Sequence, residues 1–157
     1  GNQLFAKQKL KFYYGDLTER QFRNIFKKAS NIKGDTSQIL IELLERRLDA
    51  TVYRMKFVPT IFSARQLVNH GHVKVNGKRV NIPSYSVSDG DEISIRDKSK
   101  EINLIVESVS SQEREIPEYL EVDVKELKGR FLRAPLIHDV PYPVTMEPNL
   151  VIEYYSR

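Results

Sequence analysis

Fourteen residues, Ala64–Gly77 (ARQLVNHGHVKVNG), leave the chain little freedom: they specify a short helix that turns at once into a tight β-hairpin. Ala64, Leu67 and Val68 fall at helical spacing, while Arg65, Gln66 and Asn69 point elsewhere. Gly71 follows His70 at the place where helices commonly end in a left-handed residue. Val73-Lys74-Val75 then alternates apolar and basic, at strand period. Asn76-Gly77 supplies the positive φ angles of a two-residue type I′ turn, and Lys78-Arg79-Val80 returns along the partner strand. Arg65, Lys74, Lys78 and Arg79 thus gather around one turn with no acid among them in this stretch. That is an anion-binding surface on a rigid frame.

Upstream, Lys7, Lys9 and Lys11 interleave with Phe5, Leu10, Phe12, Tyr13 and Tyr14, predicting a first helix with one basic face, ended by Gly15. Its aromatics are expected in the core, the commoner place for such side chains. Thr18-Glu19-Arg20-Gln21 is a capping box, and Phe22, Ile25, Phe26 and Ala29 mark the buried stripe of the helix it opens. Arg20, Arg23, Lys27 and Lys28 lie on that helix's exposed side. Asp35 with Gln38 is expected to cap a long apolar helix through Ile39, Leu40, Leu43 and Leu44, continuing to Leu48, Val52 and Met55. The β-branched Thr51 and Val52 place a kink or break near Leu48–Asp49. Arg47 and Asp49 do not share a helix face, so each is expected to pair with another element. Asp49 and Glu45 are expected to orient arginines. Pro59 stops the run, and Thr60 is a good N-cap for the next helix.

Beyond the hairpin, Ile82-Pro83 leaves the sheet, Ser88-Asp89-Gly90-Asp91 is a turn, and Glu92-Ile93-Ser94-Ile95 alternates as a third strand. Residues 101–113 read as a helix with Ile102, Ile105, Val106 and Val109 on one face, and residues 119–124 and 129–133 as two short strands. Pro135, Pro141, Pro143 and Pro148 predict irregular chain over 135–148, and the apolar residues 150–155 must dock, the N-terminal helices being the expected site.

Composition bears on the partner. Residues 1–100 carry 19 Lys and Arg against 10 Asp and Glu, whereas residues 101–157 carry 6 against 11. Segregation of this kind points to a polyanion for the first two-thirds. With no cysteine, neither a disulfide nor a thiolate metal site is possible. No apolar run reaches membrane-spanning length. His70 and His72, two apart across a helix end, match a metal pattern only weakly, His138 lies in the proline-rich stretch, no glycine-rich loop follows a strand and opens a helix, and no nucleophile motif is present. No enzyme, no cofactor, no metal and no small-molecule substrate are expected.

Three stretches carry a resemblance: LLERRLDATVYRM at 43–55, ARQLVNHGHVKVNGKRVNIPSYSV at 64–87 and LVIEYYSR at 150–157. Together with GDLTERQFRNIF at 15–26 they closely resemble the bacterial or organellar small-subunit ribosomal protein S-four family, over nearly the whole chain. The middle portion alone resembles a widespread RNA-binding module, found also beside pseudouridine synthases and in some aminoacyl-tRNA synthetases. The resemblance implies an α+β protein: an all-helical domain, residues 1–48 completed by about 135–157, and an inserted α+β RNA-binding domain, 49–134, with a small, mostly antiparallel sheet. Since the chain opens on Gly1, it also implies a preceding segment of a few tens of residues.

The implied function is structural: direct binding of small-subunit rRNA, nucleation of assembly and a contribution to translational accuracy. Implied partners are that rRNA, neighbouring ribosomal proteins where messenger RNA enters the subunit, and mRNA itself, on a cytoplasmic ribosome or its mitochondrial or plastid counterpart. The module's helix start usually reads T-R-x-x-A-R-Q; here Ile61 stands in place of the first arginine, removing one phosphate contact and leaving Ile61-Phe62 as an exposed apolar pair. Arg47, Arg54, Arg65, Gln66, His70, His72, Lys74, Asn76, Lys78 and Arg79 match the family's pattern or its basic character. With Arg46 and the cations Lys7, Lys9, Lys11, Arg20, Arg23, Lys27 and Lys28, they make the expected RNA-binding set, disposed as one basic face. Two rivals stand beside it. A targeting module for an RNA-modifying enzyme lacks a catalytic domain, and a protein-interaction adaptor leaves the basic surface without a purpose.

Overall fold

A computed structural model of the chain describes residues 1–156. The chain divides into two compact units, residues 1–45 with residues from Pro135 onward, and Arg46–Ala134.

The first unit is helical. Helices α1 (Asn2–Tyr13), α2 (Glu19–Asn31) and α3 (Thr36–Glu45) form from the N-terminal stretch, and residues 148–155 supply a late helix that packs on α1 and α3. Helix α2 opens on the predicted capping box: the Thr18 hydroxyl accepts from the Gln21 amide at 3.1 Å, and Gln21 Oε1 accepts from the Thr18 amide at 3.0 Å. Leu10, Tyr14, Leu17, Phe22, Leu40, Ile41, Leu44 and Val151 make the core. Phe26 stacks on Tyr155 with ring centroids 4.4 Å apart, joining α2 to the closing segment. The buried stripe of α1 is Ala6, Lys7 and Leu10, continued by Tyr14 just past its end, which turns Phe5 and Phe12 outward at 67% and 63% exposure, contrary to their expected place in the core. Gln38 does not help Asp35 cap α3. Asp35 Oδ1 accepts the Ser37 amide at 3.0 Å, while the Gln38 side chain donates to the Pro135 carbonyl and accepts the Ile137 amide.

The second unit is α+β. It holds α4 (Leu48–Arg54), α5 (Ile61–Asn69), β1 (Val73–Val75), β2 (Lys78–Arg79), β3 (Glu92–Ile95), α6 (Asn103–Ser110), β4 (Leu120–Asp123) and β5 (Lys128–Phe131). The late helix of the first unit, Pro148–Tyr155, is α7. The five strands form one sheet in the order β2-β1-β3-β5-β4 with every neighbour antiparallel. Val73, Val75, Ile93, Ile95, Leu120 and Phe131 fill the sheet's inner face. Gly129 belongs to that face because a Cβ there would collide with the Met55 sulfur and the Glu121 carbonyl oxygen. Helix α6 is shorter than residues 101–113, and only Ile105 of its apolar side is fully buried; Val106 is 46% exposed.

Helices α3 and α4 are separate, and the break falls at Arg46–Arg47, slightly before the expected Leu48–Asp49. The reason lies in the backbone. A helix starting at Leu48 leaves its first amides without partners, and the loop at 83–87 meets them: Leu48 N–H donates to the Tyr85 carbonyl at 2.9 Å and Asp49 N–H to the Pro83 carbonyl at 3.1 Å. Arg47, extended at φ −60° and ψ 139°, forms a β-bridge with Ser86. Helix α5 begins at Thr60, whose hydroxyl accepts the Ser63 amide at 3.0 Å. Ile61 is 6% exposed, so it joins the core and only Phe62 stays outside.

Candidate nucleic-acid interface

The helix–hairpin unit is built as its residues require. His70 caps α5, and Gly71 follows at φ +80°; a Cβ on Gly71 would strike the Arg79 guanidinium. Arg79 Nε donates to the Gly71 carbonyl at 3.0 Å, so glycine serves both the left-handed turn and the close approach of an arginine. The turn itself is Asn76 at φ +51° and Gly77 at φ +82°. Asn76 is fixed from both ends of its amide, donating to Asp91 Oδ1 and accepting the Glu92 amide, each at 2.9 Å. Lys78 and Arg79 are exposed on the return strand, and Lys74 is half-buried on β1.

Register decides the electrostatics. Lys74 lies directly opposite Arg79. Like charges in that position repel and destabilise a sheet, so an external anion seated between them relieves a cost the fold carries alone. His72 is half-buried, with Nδ1 2.6 Å from Ser99 Oγ, and its ring centroid is 6.3 Å from that of exposed His70. Burial holds the His72 imidazole below its ordinary pKa, and the charges of Arg96, His70 and Arg79 push the same way.

The remaining expected residues of this unit fall into two groups. Arg65 is half-buried and Gln66 exposed on α5, and Arg65 Nε donates to Asp49 Oδ2 at 3.2 Å. Arg46, Arg47 and Arg54 turn inward. Arg46 donates to the Val87 carbonyl and to Asp89 Oδ1 at 2.9 and 2.7 Å, and its guanidinium lies 4.8 Å from the centre of the Phe131 ring. Arg47 is buried and bonds Asp49 through Nε and Nη2, at 3.1 and 3.0 Å. This corrects the expectation for Arg47, which precedes the first turn of α4 in extended backbone, so helical spacing does not apply to the pair; Asp49 does meet another element as expected, through Arg65 on α5. Arg54 is buried beside the Tyr53 ring.

In the helical unit, Arg20, Arg23, Lys27 and Lys28 are exposed along α2, and among the described residues none of them makes an ion pair. Lys7 departs from expectation. Only 3% exposed, it places Nζ 2.7 Å from Glu19 Oε2 and 4.4 Å from the centre of the Tyr154 ring, so its charge is satisfied inside the unit. Lys9 is half-buried and donates to the Thr145 carbonyl at 2.7 Å, and Lys11 is half-buried near the end of α1. Glu45 accepts from the Tyr14 hydroxyl at 2.5 Å.

Sequence reading missed two kinds of residue. Ser99, the partner of His72, carries no motif. Lys128 on β5 shares a cross-strand row with Ser94 and Lys74, a placement that only the register of distant strands supplies. Among the described residues no group of three or more His, Cys, Asp or Glu is arranged to hold a metal ion, and no helix is long and apolar enough to cross a membrane.

Comparison with known proteins matches this two-part layout. Residues 1–45 match the family model described as ribosomal protein S4/S9 N-terminal domain, and residues 46–93 match the S4 domain. The chain is 64% identical over 157 residues to small ribosomal subunit protein uS4 of Ruegeria sp. (strain TM1040), covering all of this chain and 76% of that relative. It is 62% identical to uS4 of Paracoccus denitrificans (strain Pd 1222), with 76% of the relative covered, and 62% identical to uS4 of Paramagnetospirillum magneticum (strain ATCC 700264 / AMB-1), with 77% covered. A helical unit matching the first model, a helix–hairpin unit matching the second and identity of this level along the full chain place it in the uS4 family of small ribosomal subunit proteins.

Proposed function

We propose that this chain is a structural component of the small ribosomal subunit that binds small-subunit rRNA directly, takes part early in assembly and contributes to accuracy of decoding. The observation that carries this reading is the hairpin: Lys74 opposite Arg79, Lys78 beside them, and Arg65 held by Asp49, all on backbone fixed by capping and turn geometry. Lys and Arg at such positions displace condensed counterions, which makes affinity steeply salt-dependent. Because side chains do not enter the deep major groove of an A-form helix, selectivity comes from junction shape, 2′-hydroxyls and unstacked bases. Arg65 and Arg79 fork onto phosphates, and Lys74 and Lys78 act as less directional charges. The exposed α2 cations Arg20, Arg23, Lys27 and Lys28 add a second set of phosphate contacts. Arg46, Arg47 and Arg54 act from behind, by holding loop 83–87 and α4 in place. Neighbouring ribosomal proteins and mRNA are the further partners of this reading.

A filter-binding titration tests it, comparing small-subunit rRNA with a scrambled RNA of equal length at several salt concentrations. Preference for the rRNA, a steep salt slope, and weaker binding by Arg65→Ala and Lys78→Ala are expected. Absence of binding at low salt overturns the proposal.

A further inference from the structure

We propose that the outer face of the five-stranded sheet is a further phosphate-binding surface for RNA, on which Arg96 and Lys128 extend the hairpin cations Lys74 and Arg79; this rests on the rRNA-binding reading above. The register lines up Arg79, Lys74, Ser94 and Lys128 across β2, β1, β3 and β5. Residues opposite one another across antiparallel strands project to the same face, here the one away from Val75, Ile93 and Met55. At ~4.8 Å per strand the row reaches about 14 Å from Arg79 to Lys128, a span that takes in several phosphates of one RNA strand. Arg96 lies one residue beyond Ile95, its amide donating to the His72 carbonyl at 2.9 Å, and so adds a cation on the same face.

The charges of this row are only partly answered from within. Among the described residues, Lys74 and Lys128 make no ion pair. Asp97, whose carboxyl feels the charge of Lys74, is bonded to Lys100 at 3.1 Å. Asp123 stands opposite Lys128 and offsets part of its charge, though its carboxylate bonds the Glu126 amide at 3.1 Å and makes no ion pair with the lysine. The other end of the same face is different in kind: Arg130 lies opposite both Glu92 and Glu121 and is 3.6 Å from the Glu92 carboxylate. The face is therefore polarised, net acidic at the Glu92 end and cationic at the Lys74 end. A strand of phosphates complements that cationic end. Ser94, at the centre of the row, adds a hydroxyl between two lysines for a phosphate oxygen or a 2′-hydroxyl.

The test uses the full chain and a full-length small-subunit rRNA transcript. Lys128→Ala and Arg96→Ala are each expected to weaken binding and to make the log–log salt slope shallower by about 1, as Lys78→Ala does, while Lys56→Gln, at the far end of α4, leaves it unchanged. Amine acetylation of the unaltered protein, read by mass spectrometry, gives a result that no folding defect can imitate: bound rRNA protects Lys128 and Lys74 and leaves Lys56 reactive. If Lys128 stays reactive and neither substitution moves the slope while Lys78→Ala does, the sheet surface is overturned and the rRNA reading stands. If the unaltered chain does not bind the transcript at all, both fall.

Discussion

Arg65 and Asp49 meet across two helices, Arg65 Nε on α5 donating to Asp49 Oδ2 on α4 at 3.2 Å. Asp49 is 1% exposed and also holds Arg47, so one buried carboxylate carries two guanidinium groups and still takes the Ala50 amide at 2.7 Å. The arrangement leaves one net positive charge and fixes where Arg65 stands. An arginine anchored at Nε holds its guanidinium plane in a set orientation, which matters when the ligand is a phosphate read by a planar fork.

Asp49→Ala removes the counter-charge from a buried guanidinium, and breaking a buried pair on one side costs about 3–5 kcal/mol. Urea unfolding of the variant is expected to show a loss in that range, with rRNA affinity falling through a mobile Arg65. A loss below about 1 kcal/mol, the range of a surface pair, would show that Asp49 anchors nothing.

Gly71 and Gly77 separate strain from packing. Both have φ near +80°, so alanine at either costs backbone strain of roughly 1–2 kcal/mol. At Gly77 a Cβ meets nothing within 4 Å, whereas at Gly71 it strikes Arg79. Gly71→Ala is expected to destabilise the chain more than Gly77→Ala, and the excess should vanish in an Arg79→Ala background. A thermal-denaturation double-mutant cycle reads this coupling directly, and an excess that survives without Arg79 refutes it.

How much of this was legible beforehand depends on range. The Thr18 and Thr60 caps, the Gly71 helix end and the Asn76-Gly77 turn are local chemistry, written in adjacent residues, and the structure has them where the sequence puts them. What failed was directional or long-range. Phe5 and Phe12 read as core because aromatics usually are, but the stripe containing Leu10 and Tyr14 decides which side of α1 is covered. Lys7 read as surface because it is charged, and its partners Glu19 and Tyr154 lie 12 and 147 residues away. The row ending in Lys128 needed the pairing of β3 with β5, strands about 35 residues apart, which no local pattern encodes.

Glu19 gives an acid-side signature. Burial pushes its carboxyl up, but hydrogen bonds from Lys7 and Tyr155, with the charges of Lys7 and Lys11, outweigh it and hold the pKa below the ordinary 4.5. A carboxyl depressed in the folded state contributes stability that is present above pH 4.5 and is lost as pH falls through the folded value. Wild type is therefore expected to exceed Glu19→Gln in stability at neutral pH, the gap closing in acid below pH 4.5. Denaturant titrations at stepped pH check it, and a gap that is constant with pH refutes the ionic role.

His72 is poised in the opposite range. In the free chain its imidazole sits among Ser99, Arg96, His70 and Arg79, and burial with those charges keeps it neutral to below pH 6.5. Its contribution to stability is thus present above pH 6.5 and declines as pH falls through the folded value. RNA phosphates seated on Lys74 and Arg79 oppose the cations that depress it, so the same group should gain a proton when RNA binds, and affinity should rise as pH falls. NMR titration of the ring protons is expected to show a midpoint below 6.5 in the free chain, raised by Arg96→Ala and raised again in the rRNA complex. A midpoint indifferent to bound RNA would place the phosphates away from His72 and confine them to the hairpin tip.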